Sequence, residues 1–165
     1  MPRPDADANV TQSLLDRLTD TELKVELDSA MSRAQSVRQL KASLRHDLEW
    51  LLNTRRTPDE APDSLAELQQ SLFNYGLPDM SSLSINSTRD QARLSWLLES
   101  AIAIFEPRLE AVRVGMEPIA PGSRMLRFQI EGMLRMDPAP ERISFDTVLE
   151  LTSGTYQVKG DAGTR

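Results

Sequence analysis

The chain has 165 residues, 39% hydrophobic and 27% charged, with 25 acidic and 19 basic residues giving a net charge of −6, and no cysteine. That length suits a single folded domain rather than a disordered tract, with about two-thirds of the unfolded surface buried. The missing cysteines exclude disulfides, thiolate catalysis and zinc–thiolate sites, and the absence of a basic stripe argues against a nucleic-acid role. MPRPDADANV lacks the apolar core of a signal peptide, and no apolar run reaches membrane-spanning length, so a cytoplasmic protein without direct membrane insertion is expected.

In chain order, residues 1–12 are polar and expected to be mobile. SLLDRLTD, 13–20, is a short amphipathic island bearing Leu14, Leu15 and Leu18. Such a short helix is marginal alone, so it either packs on its own domain or docks on a partner. Ser32 and Gln35 read as a capping box opening a helix whose Val37, Leu40, Leu44, Leu48 and Leu51 form one stripe, with Asn53 able to end it. RTPDEAPDS, 56–64, is a loop. Ser64 and Glu67 read as a second box opening a short helix with Leu65, Leu68, Leu72 and Phe73. In NYGLPD, 74–79, Gly76 is the left-handed terminator and Pro78 prevents resumption. Ser87 and Asp90 open a third helix burying Leu94, Leu97, Leu98, Ala101, Ile102 and Phe105, which must stop before Pro107.

Beyond Pro107 the period changes to two. Val112, Val114 and Met116 alternate with Arg113 and Gly115, and EPIAPGS forms a loop. Leu126, Phe128, Ile130, Leu134 and Met136 then share one face, and Arg127, Gln129, Glu131 and Arg135 the other. DPAPE turns the chain; Ile143, Phe145, Leu149 and Leu151 continue the pattern, and Ser153 and Gly154 lead to Tyr156 and Val158. The expected fold is α+β, three helices packed on a three- to four-stranded antiparallel meander sheet. A meander has edge strands, and an edge is a ready template for another chain's strand.

The candidate chemistry centres on Glu106, Pro107 and Arg108. A desolvated Glu106 could act as a general acid, but a glycosidase needs a second carboxylate at a set separation, and Glu99, Glu110 and Glu117 carry no spacing that points to one. An arginine two residues away favours a salt bridge over a proton donor. His46, the only histidine, lies off the leucine stripe and reads as a surface or boundary residue. Asp47 and Glu49 fall on different helix faces and are poor candidates for a shared metal. Trp50 and Trp96 read as core or boundary aromatics, and Arg55 and Arg56 as partners of a helix dipole. No catalytic, metal or cofactor set is expected.

SLLDRLTD, RHDLEWLLNTRR at 45–56, NYGLPD at 74–79, IFEPRL at 104–109, FQIEGML and ISFDTVLELTSGTYQV at 143–158 occur in that order. Together they resemble the TssE family, the lysozyme-like baseplate proteins of bacterial type VI secretion systems, within the family of the small wedge protein of contractile phage tails. The resemblance implies a non-enzymatic structural component, organised as a 1–30 extension, a 31–160 wedge domain and a 161–165 mobile tail. It maps the family's Glu-Pro-Arg motif onto Glu106, Pro107 and Arg108, associated with baseplate assembly and with docking of the contractile sheath. The implied partners are the wedge proteins TssF and TssG, the adaptor TssK and the sheath proteins TssB and TssC, at a baseplate docked on the inner membrane. Two alternatives stay open: a peptidoglycan-cleaving hydrolase, and an anti-adaptor-type regulatory protein sharing the fold.

Overall fold

The computed structural model describes residues 33–59, 61–62, 64–80, 82–84, 86–118, 123–137 and 139–161. The amphipathic Leu14, Leu15 and Leu18, the Ser32 half of the first capping box and the tail beyond 161 lie outside the described residues. The described elements are α1 (Arg33–Asn53), α2 (Ala66–Gln69), a 3-10 turn (Leu72–Asn74), α3 (Thr88–Phe105), β1 (Leu109–Met116), β2 (Met125–Leu134), β3 (Glu141–Glu150) and β4 (Thr155–Asp161). The chain divides into two compact units, Met1–Leu44 and Arg45–Arg165. In the first, Ser36, Leu40 and Leu44 of α1 are buried.

The second unit holds the sheet. Its strands run β1-β2-β3-β4 in sequence order, every neighbour antiparallel, so the expected meander has four strands. Period-two alternation gives it one buried face: Leu126, Phe128, Ile130 and Leu134 on β2, Ile143, Phe145, Thr147 and Leu149 on β3, Tyr156 and Val158 on β4. Between Met125↔Glu150 and Leu134↔Glu141 the β2–β3 register is unbroken. The opposite face carries polar pairs such as Arg142–Glu131 at 2.8 Å and Gln129–Asp146 at 3.3 Å.

Helix α3 follows its sequence signals. Ser87 caps it by accepting from the Asp90 N–H at 3.3 Å, and Asp90 accepts from the Ser84 N–H at 3.1 Å. Leu94, Leu98, Ala101 and Ile102 are its buried residues, while Leu97 and Phe105 are half-buried. After Phe105 the helix ends, as the proline two residues on requires.

Several expectations are corrected. The Ser64–Glu67 box does not form: the α-helix there is four residues long, Leu65 stands at its N-cap without a side-chain bond, and Leu65, Leu72 and Phe73 are exposed. The chain there tightens into the 3-10 turn instead, which Ser71 caps by accepting from the Phe73 N–H. Strand β2 ends at Leu134 rather than Met136, and Leu151 belongs to the β3–β4 turn, which the Gly154 N–H closes on the Glu150 carbonyl at 2.8 Å. Trp50 and Trp96 are surface residues, 56% and 63% exposed. Trp50 rests against exposed His46 one turn earlier, ring centroids 4.8 Å apart, so neither belongs to the core.

Strand β1 begins at Leu109, earlier than its alternation suggests, because a bulge interrupts the pattern. Its register with β2 shifts between Glu110 and Arg113, and Ala111 takes a left-handed φ of 52°. Gly132 of β2 lies opposite, where a Cβ would come within 3.2 Å of the Glu110 carbonyl oxygen. Gly76 has φ +103°, and a Cβ there would meet the Thr54 carbonyl oxygen at 2.3 Å. That contact is set by the Leu77 N–H, which donates to the same oxygen at 2.8 Å and ties the turn to the end of α1.

Candidate functional site

The junction between α3 and β1 is built by its backbone first. The Glu106 N–H donates to the Ile102 carbonyl at 2.8 Å, completing the last helical bond, and the Leu109 N–H donates to the Glu106 carbonyl at 3.0 Å. Those two bonds enclose a tight turn with Pro107 at its second position, where the ring's fixed φ is already suited. The Arg108 carbonyl accepts from the Arg135 N–H at 2.8 Å, so the turn is also pinned to the end of β2.

This geometry buries the acid. Ala101, Ile102 and Leu109 are core residues on either side, and the Glu106 side chain between them is 7% exposed. A buried carboxylate needs compensation, and Arg108 supplies it bidentately: Nε donates to Oε1 and Nη2 to Oε2, both at 2.6 Å. Arg108 Nη2 also donates to Asp47 Oδ2 on α1. One guanidinium therefore holds two carboxylates. The hydrogen bond to Glu106 raises the Arg108 pKa above its ordinary value; burial opposes this, and the Glu106 charge and Asp47 add to the rise. The Tyr75 phenol is raised too, first by burial and then by the charges of Asp47 and Glu106, and its ring meets Phe105 edge-on at 5.3 Å.

Glu106 and Arg108 thus meet as the sequence suggested. Asp47 and Tyr75 were missed. Asp47 adjoins buried Leu48 on the leucine stripe, a position facing inward that a reading focused on metal ligands passes over. Two of the three acids weighed as a second catalytic carboxylate are engaged elsewhere: Glu99 accepts from the Val114 N–H at 2.8 Å, and Glu110 pairs with Arg135 at 3.2 Å. Arg55 meets Asp79 at 3.4 Å, both well exposed. A recess of about 250 Å³ beside the β3–β4 turn is lined by Leu52, Leu77, Met80, Leu149 and Tyr156 with Arg55 and Ser153, and no carboxylate or histidine lines it. Among the described residues no group of three or more acidic or histidine side chains could hold a metal, and no helix is long and apolar enough to cross a membrane.

These features define a helix-and-meander domain with a buried acidic junction in which Arg108 holds Glu106 and Asp47. Residues 38–139, which span that junction, match the family model of baseplate wedge protein gp25, and the chain belongs to that family. A chain of a solved structure, the baseplate complex from the type VI secretion system, is similar with a TM-score of 0.45 and 20% identity, over 67% of this chain and 94% of that one. No curated protein matches the chain.

Proposed function

We propose that the protein is a non-enzymatic structural component of a type VI secretion baseplate, a wedge subunit that helps start the contractile sheath. The observation that carries this reading is the family match over residues 38–139, which includes Glu106, Pro107 and Arg108. The ordered motifs from SLLDRLTD to ISFDTVLELTSGTYQV support the type VI assignment. The chemistry of the junction supports a structural role: Glu106 is closed off from solvent and held by two hydrogen bonds from Arg108. Both of its oxygens are occupied by one guanidinium, a geometry suited to a structural tie.

In this role Glu106 and Arg108 fix the corner between α3 and β1, and exposed Pro107 with the accessible part of Arg108 faces a partner. TssF and TssG are the wedge partners, TssK the adaptor, and TssB and TssC the sheath proteins, assembled in the cytoplasm at an inner-membrane-docked baseplate. Residues 1–30 form an extension in which Leu14, Leu15 and Leu18 dock on a wedge partner, 31–160 the wedge domain, and 161–165 a tail.

The test is co-purification with TssF and TssG and fluorescence imaging of sheath assembly, for wild type, Pro107→Ala, Arg108→Ala and a deletion of residues 1–20. Lost assembly in a variant that still melts cooperatively is the expected result. Normal assembly in all of them would remove the junction and the extension from docking. Clearing of cell-wall suspensions by the pure protein, abolished by Glu106→Gln, would instead make it a hydrolase.

A further inference from the structure

Among the described residues β4 is an edge strand of the sheet, and the end of α1 treats it as one. The Asn53 side-chain amide makes both hydrogen bonds that a neighbouring strand would make at Tyr156: Oδ1 accepts from the Tyr156 N–H and Nδ2 donates to the Tyr156 carbonyl, each at 2.8 Å. Nδ2 also donates to the Glu49 carbonyl at 2.8 Å, which holds the amide plane in place. Two residues along, at the next position with the same orientation, the Val158 carbonyl accepts from Arg45 Nη1 at 3.4 Å. Arg45, Glu49 and Asn53 are spaced by four on one helical face, so a single stripe of α1 follows the strand edge. The residue itself is exposed, so these bonds do not serve to satisfy a buried amide.

A hydrogen-bonded antiparallel pair exchanges an N–H and a C=O between two facing residues, and Asn53 reproduces both halves from one side chain. We infer that Asn53 and Arg45 are an edge guard, which keeps a second copy of this chain from pairing along β4. The polar groups of an unguarded edge are an open template for the same edge on another molecule. Two such edges meeting antiparallel would produce a symmetric dimer through a continuous eight-stranded sheet. This device stands on the fold alone and does not depend on the baseplate reading.

The experiment is sedimentation of the full chain over a range of concentrations, for wild type, Arg45→Ala, Asn53→Ala and the double variant, with hydrogen exchange followed at the Tyr156 amide. Wild type should remain monomeric. Asn53→Ala and the double variant should shift with concentration toward twice the monomer mass, Arg45→Ala more weakly. At low concentration the Tyr156 amide of Asn53→Ala should exchange at least tenfold faster than in wild type, and the dimer should restore protection. A purely architectural tie would lower the melting temperature without moving the mass. Folded variants that stay monomeric at every concentration would overturn the proposal, as would an Asn53→Ala that fails to fold beside an Arg45→Ala that folds and never associates.

Discussion

Arg108 donates to Asp47 across 61 residues of chain while holding Glu106, two residues away, in a bidentate grip. The arrangement makes one arginine the counter-charge for two acids on different elements, and the consequences of removing each member differ.

Arg108→Ala is expected to be the most damaging change at the junction, because it leaves the 7% exposed Glu106 without its partner. Breaking such a buried pair costs about 3–5 kcal/mol. Asp47→Asn, at a side chain 33% exposed, should cost about 1 kcal/mol or less. Glu106→Gln keeps the shape and lies between. Chemical denaturation of the three variants, and of the Glu106–Arg108 double, measures this. A double no worse than Arg108→Ala would place the pair in the fold. An Arg108→Ala as stable as wild type would contradict the geometry.

At the bulge, Ala111 occupies a left-handed conformation that costs an L-residue roughly 1–2 kcal/mol, so Ala111→Gly should be neutral or stabilising by up to about 1 kcal/mol. Gly132→Ala, pressing on the Glu110 carbonyl, should destabilise by roughly 1–3 kcal/mol. Opposite signs in paired melts are the expected signature; a destabilised Ala111→Gly would refute the strain at that position.

The Thr147 hydroxyl is buried in the centre of the sheet without a hydrogen-bond partner among the described residues. Thr147→Val keeps the branched shape and removes the unsatisfied oxygen, and should raise stability by about 1 kcal/mol. A loss of stability would mean that the hydroxyl is held by a group or a trapped water.

Both tyrosines of the chain, Tyr75 and Tyr156, have phenols raised above the ordinary 10.0, Tyr156 by burial against a small opposing effect of Arg55. Folding therefore favours the neutral phenol. That stability is fully present below pH 10 and falls as pH rises through the folded-state values. An alkaline titration of tyrosinate absorbance should show both phenols titrating above 10 in the folded protein, Tyr156 the later of the two. Glu106→Gln should lower the Tyr75 midpoint and leave Tyr156 unmoved. A native-state midpoint at 10 for either residue would contradict its burial.

Local pattern carried much of the architecture. The leucine stripe of α1, the Ser87–Asp90 start of α3, its stop before Pro107 and the alternation of β2 and β3 were all legible, because each depends on neighbours within a few residues. The Ser64–Glu67 box failed for the same reason inverted. A capping signal needs an apolar face with something to cover, and there Leu65 and Leu72 remain at the surface. Glu106 and Arg108 were found because they are two residues apart.

Periodicity, helix stops and the pairing of adjacent charges are local properties of the chain, since they follow from backbone geometry over one or two turns. It took the packing of distant elements for Asp47 to share the arginine of Glu106, for Gly132 to face a bulge at Ala111, and for Asn53 to reach the edge of β4. The same packing left Trp50 and Trp96 on the surface. These outcomes depend on which elements come to lie side by side, and a contact spanning 61 or 103 residues of chain leaves no periodic trace in the sequence. Its energy comes from burial and from matched donors and acceptors that exist only after the sheet has formed.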